Sequence, residues 1–153
     1  MSSITEQRPH PQVDVRGPRF SAWVSTGVLI AALLASAESA VAAAVILGVQ
    51  AVVFAVGATL GPRRQPYGLL FAKLVAPRLG PGTEREPVPP LKFAQLVGLL
   101  FAAVGVIGFA GGLEPLGLVA TGMALVAAFL NAAFGICLGC QLYPLFTRLT
   151  PTR

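Results

Sequence analysis

The chain has 153 residues, of which 55% are hydrophobic and only 11% are charged. A soluble domain carries about 25% charged residues, so this chain has too little polar surface to face water on all sides. The composition excludes an ordinary soluble domain and makes a lipid bilayer the expected surroundings of the protein.

The net charge of +5 raises the question of a nucleic-acid partner. The basic residues lie before the first apolar segment, between the second and third, and after the fourth, and no other connection contains one. A nucleic-acid-binding patch needs a soluble face on which to lie. We therefore expect no nucleic-acid partner.

The N-terminal half contains a polar tail and two apolar segments. Residues 1–18 are polar, contain three prolines and show no periodicity, which predicts a flexible cytoplasmic tail. The first apolar segment covers residues 20–37, with Trp23 as an interfacial anchor near its start. The second covers residues 39–60 and ends at Gly61-Pro62, a strong stop signal for a helix.

The connection 61–90 is the longest in the chain. Its part 66–75 is apolar but too short to span a bilayer, and arginines flank it, which predicts a short interfacial helix. The side chains expected to face lipid or the other helices are Leu69, Leu70, Phe71 and Leu74. The proline-rich part 80–90 is expected to be extended.

Two more apolar segments follow, residues 91–112 and 116–136, and their small residues favour close helix packing. Each of the four segments approaches the roughly 20 residues that cross a bilayer. Pro144 and Pro151 limit further helix, so residues 144–153 are predicted to be a cytoplasmic tail. The sequence predicts an all-α integral membrane four-helix bundle over residues 19–143.

The basic residues predict the orientation of the four helices. With four spans, every Lys and Arg falls on one side of the membrane, which by the positive-inside rule is the cytoplasm. We therefore expect a multi-pass protein of the cell (inner) membrane with cytoplasmic N and C termini. The basic residues are Arg8, Arg16, Arg19, Arg63, Arg64, Lys73, Arg78, Arg85, Lys92, Arg148 and Arg153.

Cys137-Leu138-Gly139-Cys140 is the only cluster of reactive side chains in the sequence. Residues at i and i+3 share a helix face with Cβ atoms about 5–6 Å apart, so the two sulfurs are expected to lie within disulfide reach. The pair suits thiol or persulfide exchange, packing as small side chains, or binding of a soft metal. A zinc site needs a second ligand pair, so we expect no metal.

The predicted depth of the cysteines bears on these alternatives. A rise of roughly 1.5 Å per residue from Pro115 places Cys137 about 33 Å along the fourth helix, at its cytoplasmic end. A permanent disulfide is not expected there, because the cytosol is reducing. At a helix C-terminus the dipole also disfavours a thiolate, unless Gly139 breaks the helix.

Asn131 and Gln95 are the supporting polar candidates, because both fall in the cytoplasmic half of their helices. A buried amide in lipid must find a partner, which predicts a hydrogen bond between them or a role in polarising a thiol or holding a substrate. No cofactor is predicted. The single histidine, His10, has no other ligand near it and is expected to be a solvated tail residue.

Four segments together resemble a known family: residues 14–20, 61–67, 89–95 and 128–140. They are similar to the bacterial membrane family called domain of unknown function 4395. The resemblance extends from about Asp14 to Tyr143, and the stretch from Asn131 to Cys140 is its most specific part. Lys92 stands where the family pattern has arginine, which keeps the positive charge.

The resemblance implies a multi-pass membrane protein of unestablished function with a cytosolic thioredoxin-like or sulfurtransferase partner. Two hypotheses follow. In the first, the protein handles thiols, disulfides or sulfane sulfur: Cys137 or Cys140 attacks a disulfide or persulfide on the partner, and the other cysteine resolves the product. In the second, it is a non-catalytic scaffold or small-molecule conduit with packing cysteines. Only the first makes it an enzyme.

Overall fold

The computed structural model describes residues 12–149 of the chain. The described residues are almost entirely helical, which confirms the predicted all-α class. In chain order the elements are β1 (Gln12–Asp14), α1 (Arg16–Ser36), α2 (Ala40–Leu60), α3 (Pro66–Leu70), a π-helical turn (Phe71–Val75), α4 (Ala76–Leu79), β2 (Arg85–Pro87), α5 (Val88–Ala110), α6 (Glu114–Phe134) and α7 (Leu138–Leu149).

Four of these helices, α1, α2, α5 and α6, are long and apolar enough to span a membrane. A stripe along α2 shows why they need lipid: Val41, Val45, Val49 and Val52 are between 61% and 71% exposed. A soluble protein rarely exposes a contiguous apolar face of this kind. The protein is therefore a multi-pass membrane protein.

The long helices pack in neighbouring pairs, α2 with α5 and α1, and α6 with α1 and α5. Leu29, Leu47 and Phe109 are among the core residues that these contacts bury. Small residues let two of the helices approach closely, since a Cβ on Gly108 of α5 would lie 2.8 Å from the Cα of Gly117 on α6. The small-residue faces thus act as helix contacts.

The connection between α2 and α5 contains the predicted short helix. Helical turns extend over residues 66–79, four residues beyond the predicted end. Phe71 is buried and its ring centroid lies 5.8 Å from that of Phe20 on α1, whereas Leu69 and Leu74 are exposed. One aromatic side chain therefore anchors this segment to the long helices.

A two-stranded antiparallel ribbon was not predicted. Val13 pairs with Glu86, and α1 begins at Arg16, four residues before its predicted start. Residues 12–18 are thus ordered, because residues 12–15 bond residues 84–87 and residues 16–18 belong to α1. Residues 1–11 and 150–153, which include His10 and most of the predicted tails, lie outside the described residues.

An ion pair secures the start of α1. The Arg16 guanidinium lies 2.8 Å from Asp14 and also donates to the carbonyl of Gly80, at the end of the loop helix. Its hydrogen bond lowers the pKa of the Asp14 carboxyl below the ordinary 3.8, so Asp14 stays charged at neutral pH. The N-terminal ribbon and the loop are held to the same helix end.

The predicted C-terminal tail contains a helix instead. α7 continues to Leu149 with Pro144 inside it, so the prediction that Pro144 limits the helix is wrong. Aromatic packing accounts for the difference. The ring centroid of Phe93 on α5 lies 5.9 Å from that of Tyr143 and 5.1 Å from that of Phe146, both on α7. Tertiary contacts with α5 therefore outweigh the one hydrogen bond that proline removes.

Replacing Gly108 with alanine is expected to lower the free energy of unfolding by about 1–3 kcal/mol, because the added methyl would overlap the backbone of Gly117. Gly122→Ala on α6 is the matched control, since nothing lies within 4 Å of its Cβ position. Unfolding of both variants in the same detergent measures the difference. Equal stability of the two variants would contradict close packing at this crossing.

Candidate functional site

Cys137 and Cys140 form a disulfide, with their Cα atoms 5.2 Å apart. The prediction that the two sulfurs lie within disulfide reach is confirmed. No permanent disulfide was expected in a reducing compartment, and the structure contains the bond.

The cysteine pair lies at the start of a helix, and its predicted place at the C-terminus of the fourth helix is wrong. α6 ends at Phe134, because Gly135 adopts a left-handed conformation with φ of 70°. The Sγ of Cys137 then accepts a hydrogen bond from the Cys140 N–H at 3.2 Å. The backbone carbonyl of Cys137 accepts one from the Gln141 N–H at 3.1 Å. A glycine at this position is a common helix C-terminal signal that the sequence already contained.

At the start of α7 the helix dipole favours a thiolate, whereas at the C-terminus of α6 it would disfavour one. The N-terminus of a helix carries a partial positive charge and unpaired N–H groups, both of which stabilise an anion. Cys137 precedes the first residue of α7, and its sulfur accepts a hydrogen bond from one of those N–H groups. In the reduced protein this end of the helix favours the thiolate of Cys137.

Gly139 fixes the distance between α7 and α5. It is buried, and a Cβ at this position would lie 2.6 Å from the Cα of Ala94. Any side chain here would move the first turn of α7 away from α5. The glycine between the cysteines therefore serves a close helix contact.

A cavity of about 270 Å³ lies beside the cysteine pair, with walls from α1, α2, α5, α6 and the first turn of α7. It contains three of the four predicted site residues, Cys137, Gln95 and Asn131, whereas Cys140 does not line it. Most of the lining is apolar. The polar residues that line it are Ser21, Ser25, Gln65, Gln95, Asn131 and Cys137.

The amide of Gln95 pairs with a residue that the sequence analysis did not single out. Gln65 Nε2 donates to Gln95 Oε1 at 2.8 Å, in place of the predicted hydrogen bond between Gln95 and Asn131. Gln65 is 1% exposed, and its Oε1 has no hydrogen-bond partner in residues 12–149. It was missed because it follows two arginines and belongs, in sequence, to a loop.

A second set of hydrogen bonds connects the loop helix to the cavity wall. The Tyr67 hydroxyl donates to Gln50 Oε1 at 2.7 Å, and Gln50 Nε2 donates to the Ser25 hydroxyl at 3.1 Å. Gln50 is fully buried, and burial raises the pKa of the Tyr67 phenol above 10.0. The network satisfies an amide inside a membrane-spanning helix and fixes one face of the cavity.

Arg19 lies next to the end of α6. Its guanidinium donates to the Ala132 carbonyl at 3.5 Å, which suits the partial negative charge at a helix C-terminus. Burial raises the pKa of the nearby Glu86 carboxyl, and the charge of Arg19 opposes that shift. Arg19 thus joins α1, α6 and the ribbon on the side of the protein that carries the cysteine pair.

The family model described as domain of unknown function (DUF4395) matches residues 13–148. The chain belongs to this family. The match covers all four long helices, the loop and all but the last residue of α7, and it confirms the resemblance seen in the sequence. No curated protein and no solved structure matches this chain.

Among residues 12–149 of this DUF4395 chain, no group of three or more His, Cys, Asp or Glu side chains meets. No charged side chain lines the cavity beside Cys137. The chemistry that the described site can support is that of two sulfurs and of uncharged hydrogen-bonding groups.

Replacing Tyr67 with phenylalanine is expected to lower the free energy of unfolding by about 1–3 kcal/mol, because the buried Gln50 Oε1 would lose its hydrogen bond. Tyr143→Phe is the matched control, since it keeps the ring contact with Phe93. Denaturation in mixed micelles compares the two variants. If both variants lose the same free energy of unfolding, a structural role for the Tyr67–Gln50 bond would be ruled out.

Proposed function

We propose that this DUF4395 protein is a membrane thiol–disulfide or sulfane-sulfur handling component that uses Cys137 and Cys140. The supporting observation is the disulfide at the start of α7, with the Cys140 N–H donated to Cys137 Sγ. Reactive cysteine pairs are typically found at helix N-termini, because that position stabilises the attacking thiolate. Asn131 and Gln95 are supporting polar residues on the cavity wall beside the pair.

Two exchange reactions suit the pair. A partner thiolate attacks one sulfur of the disulfide, the mixed disulfide is resolved by the partner's second thiol, and the pair becomes a dithiol. Alternatively, the dithiol takes the outer sulfur of a partner persulfide: the partner leaves as a thiol, and closure of the Cys137–Cys140 disulfide releases hydrogen sulfide. Both reactions need a partner that approaches the start of α7.

The charge around this end of the protein favours a cytosolic partner. Nine basic residues lie among residues 12–149: two in the first turn of α1, five in the α2–α5 connection, one near the start of α5 and one near the end of α7. Contacts join these segments at one end of the protein, because β1 pairs with β2 and α5 packs against α7. We infer that this end faces the cytoplasm of the cell, with both termini there. A thioredoxin-like protein or a sulfurtransferase with an acidic surface would be attracted to it.

Reporter fusions test this orientation. A fusion inserted within residues 81–83 is expected to be active with a cytoplasmic reporter and inactive with alkaline phosphatase, which needs an oxidising compartment. A fusion at Gly112, in the short turn between α5 and α6, is expected to show the opposite pattern. Alkaline phosphatase activity from the loop fusion would place the cysteine pair outside the cytoplasm.

Single-cysteine variants test the reactivity of the pair. In Cys140→Ser, the remaining Cys137 is expected to be alkylated with a midpoint below about pH 7.5, whereas a free thiol labels near about pH 8.5. In Cys137→Ser, the serine still caps α7, so the helix is expected to persist while Cys140 labels like a free thiol. A midpoint near pH 8.5 for both thiols would remove the electrostatic argument for reactivity.

Exchange with a reduced dithiol peptide tests the function itself. The wild-type disulfide is expected to oxidise the peptide, and either Cys→Ser change is expected to abolish this reaction while membrane insertion is retained. Thr147→Ala is the control on the same helix, since its hydroxyl bonds only its own helix at Pro144. A disulfide that stays inert in the folded protein would favour the alternative, a scaffold or conduit in which the pair is structural.

A further inference from the structure

The cavity beside Cys137 has the size and composition of a binding site for one small group. Its volume of about 270 Å³ is close to the lower end of the roughly 300–1,000 Å³ typical of small-molecule pockets. The wall is mostly apolar, and its polar groups are uncharged. This is the usual arrangement of a site that holds an apolar ring and orients it by a few hydrogen bonds.

The lining excludes charged ligands. No Lys, Arg, Asp or Glu lines the cavity, so a phosphate or carboxylate there would lose its hydration without gaining a counter-charge. A neutral ligand meets no such penalty. The occupant that fits is therefore uncharged and mainly apolar.

Two amide side chains on the cavity wall can donate hydrogen bonds to a ligand. Gln95 uses its oxygen to accept from Gln65, so its NH₂ group is left as a donor, and Asn131 carries a second NH₂ group. A quinone carbonyl accepts hydrogen bonds from such amides.

The cavity has an apolar edge on the outer surface of the protein. Met123, Leu138 and Leu142 line it and are 52%, 38% and 47% exposed. In a protein with four candidate spans, exposed apolar side chains of this kind face lipid. A ligand dissolved in the bilayer reaches the cavity at this edge without crossing a charged surface.

We infer that the cavity binds the ring of a membrane quinone, which takes electrons from the reduced Cys137–Cys140 pair. The inference rests on the proposed function and names its electron acceptor. The two thiols give up two electrons and two protons, the sulfur–sulfur bond forms, and both quinone carbonyls become hydroxyls. The partner's dithiol then reduces the disulfide again, so electrons pass from a cytosolic thiol to the lipid phase.

Neighbouring residues on α6 provide the test. Ala127 lines the cavity, whereas Val126 does not and is 56% exposed. Reduced protein in lipid nanodiscs is mixed with a short-chain ubiquinone analogue, and quinone absorbance and free thiols are followed together. Wild type is expected to form one quinol per disulfide. Ala127→Phe should slow this by about tenfold or more, and Val126→Phe by less than about twofold.

Asn131→Leu gives a second variant, because the leucine removes an amide at similar volume and Asn131 donates no hydrogen bond within residues 12–149 that must be replaced. It is expected to raise the KM for the quinone analogue by about tenfold. An unchanged KM would remove the Asn131 amide from the quinone site.

Binding is measured separately from electron transfer with a photoreactive azidoquinone and the double variant Cys137→Ser, Cys140→Ser. Crosslinks to cavity residues of α5 and α6 are expected. Exchange with the dithiol peptide but no quinone reduction and no crosslink would overturn the quinone inference and leave the proposed function standing. If the wild-type protein neither exchanges with the dithiol peptide nor reduces the quinone, both the proposed function and the quinone inference would be overturned. Equal behaviour of Ala127→Phe and Val126→Phe would place the quinone outside this cavity.

Discussion

The contact between Gly139 and Ala94 determines where the cysteine pair of this protein lies. Gly135 ends α6, and the chain turns so that the next helix meets α5 backbone to backbone, with no room for a side chain at Gly139. Cys137 is thereby placed at the start of α7 and on the wall of the cavity. A helix that continued straight past Phe134 would carry the cysteines away from the amides on α5.

Buried amides give this end of the protein its second constraint. Gln50 and Gln65 are almost completely buried. Gln50 bonds both Tyr67 and Ser25 on other elements, and Gln65 bonds Gln95 on α5. Within apolar helices such bonds are directional, whereas the surrounding apolar contacts are not. They fix the loop helix, α1 and α5 relative to one another and so define the shape of the cavity.

The sequence predicted the four long helices, the loop helix and the closeness of Cys137 to Cys140, because each depends on local patterns of apolar or paired residues. It missed the ribbon, α7 and the Gln65–Gln95 pair, because each depends on residues far apart in the chain. The helix end at Gly135 was a local signal, but the apolar stretch on both sides of it suggested one longer helix. Proximity of the cysteines could therefore be predicted, whereas their electrostatic surroundings could not.

The antiparallel ribbon has a consequence for the order in which the chain assembles. Val13 pairs with Glu86, and Arg16 bonds the carbonyl of Gly80, so the N-terminal end of α1 reaches its final contacts only after the segment that follows α2 has been synthesised. The loop-side ends of the first two helices therefore stay unjoined in the growing chain until residues 80–87 are free to pair with residues 12–14.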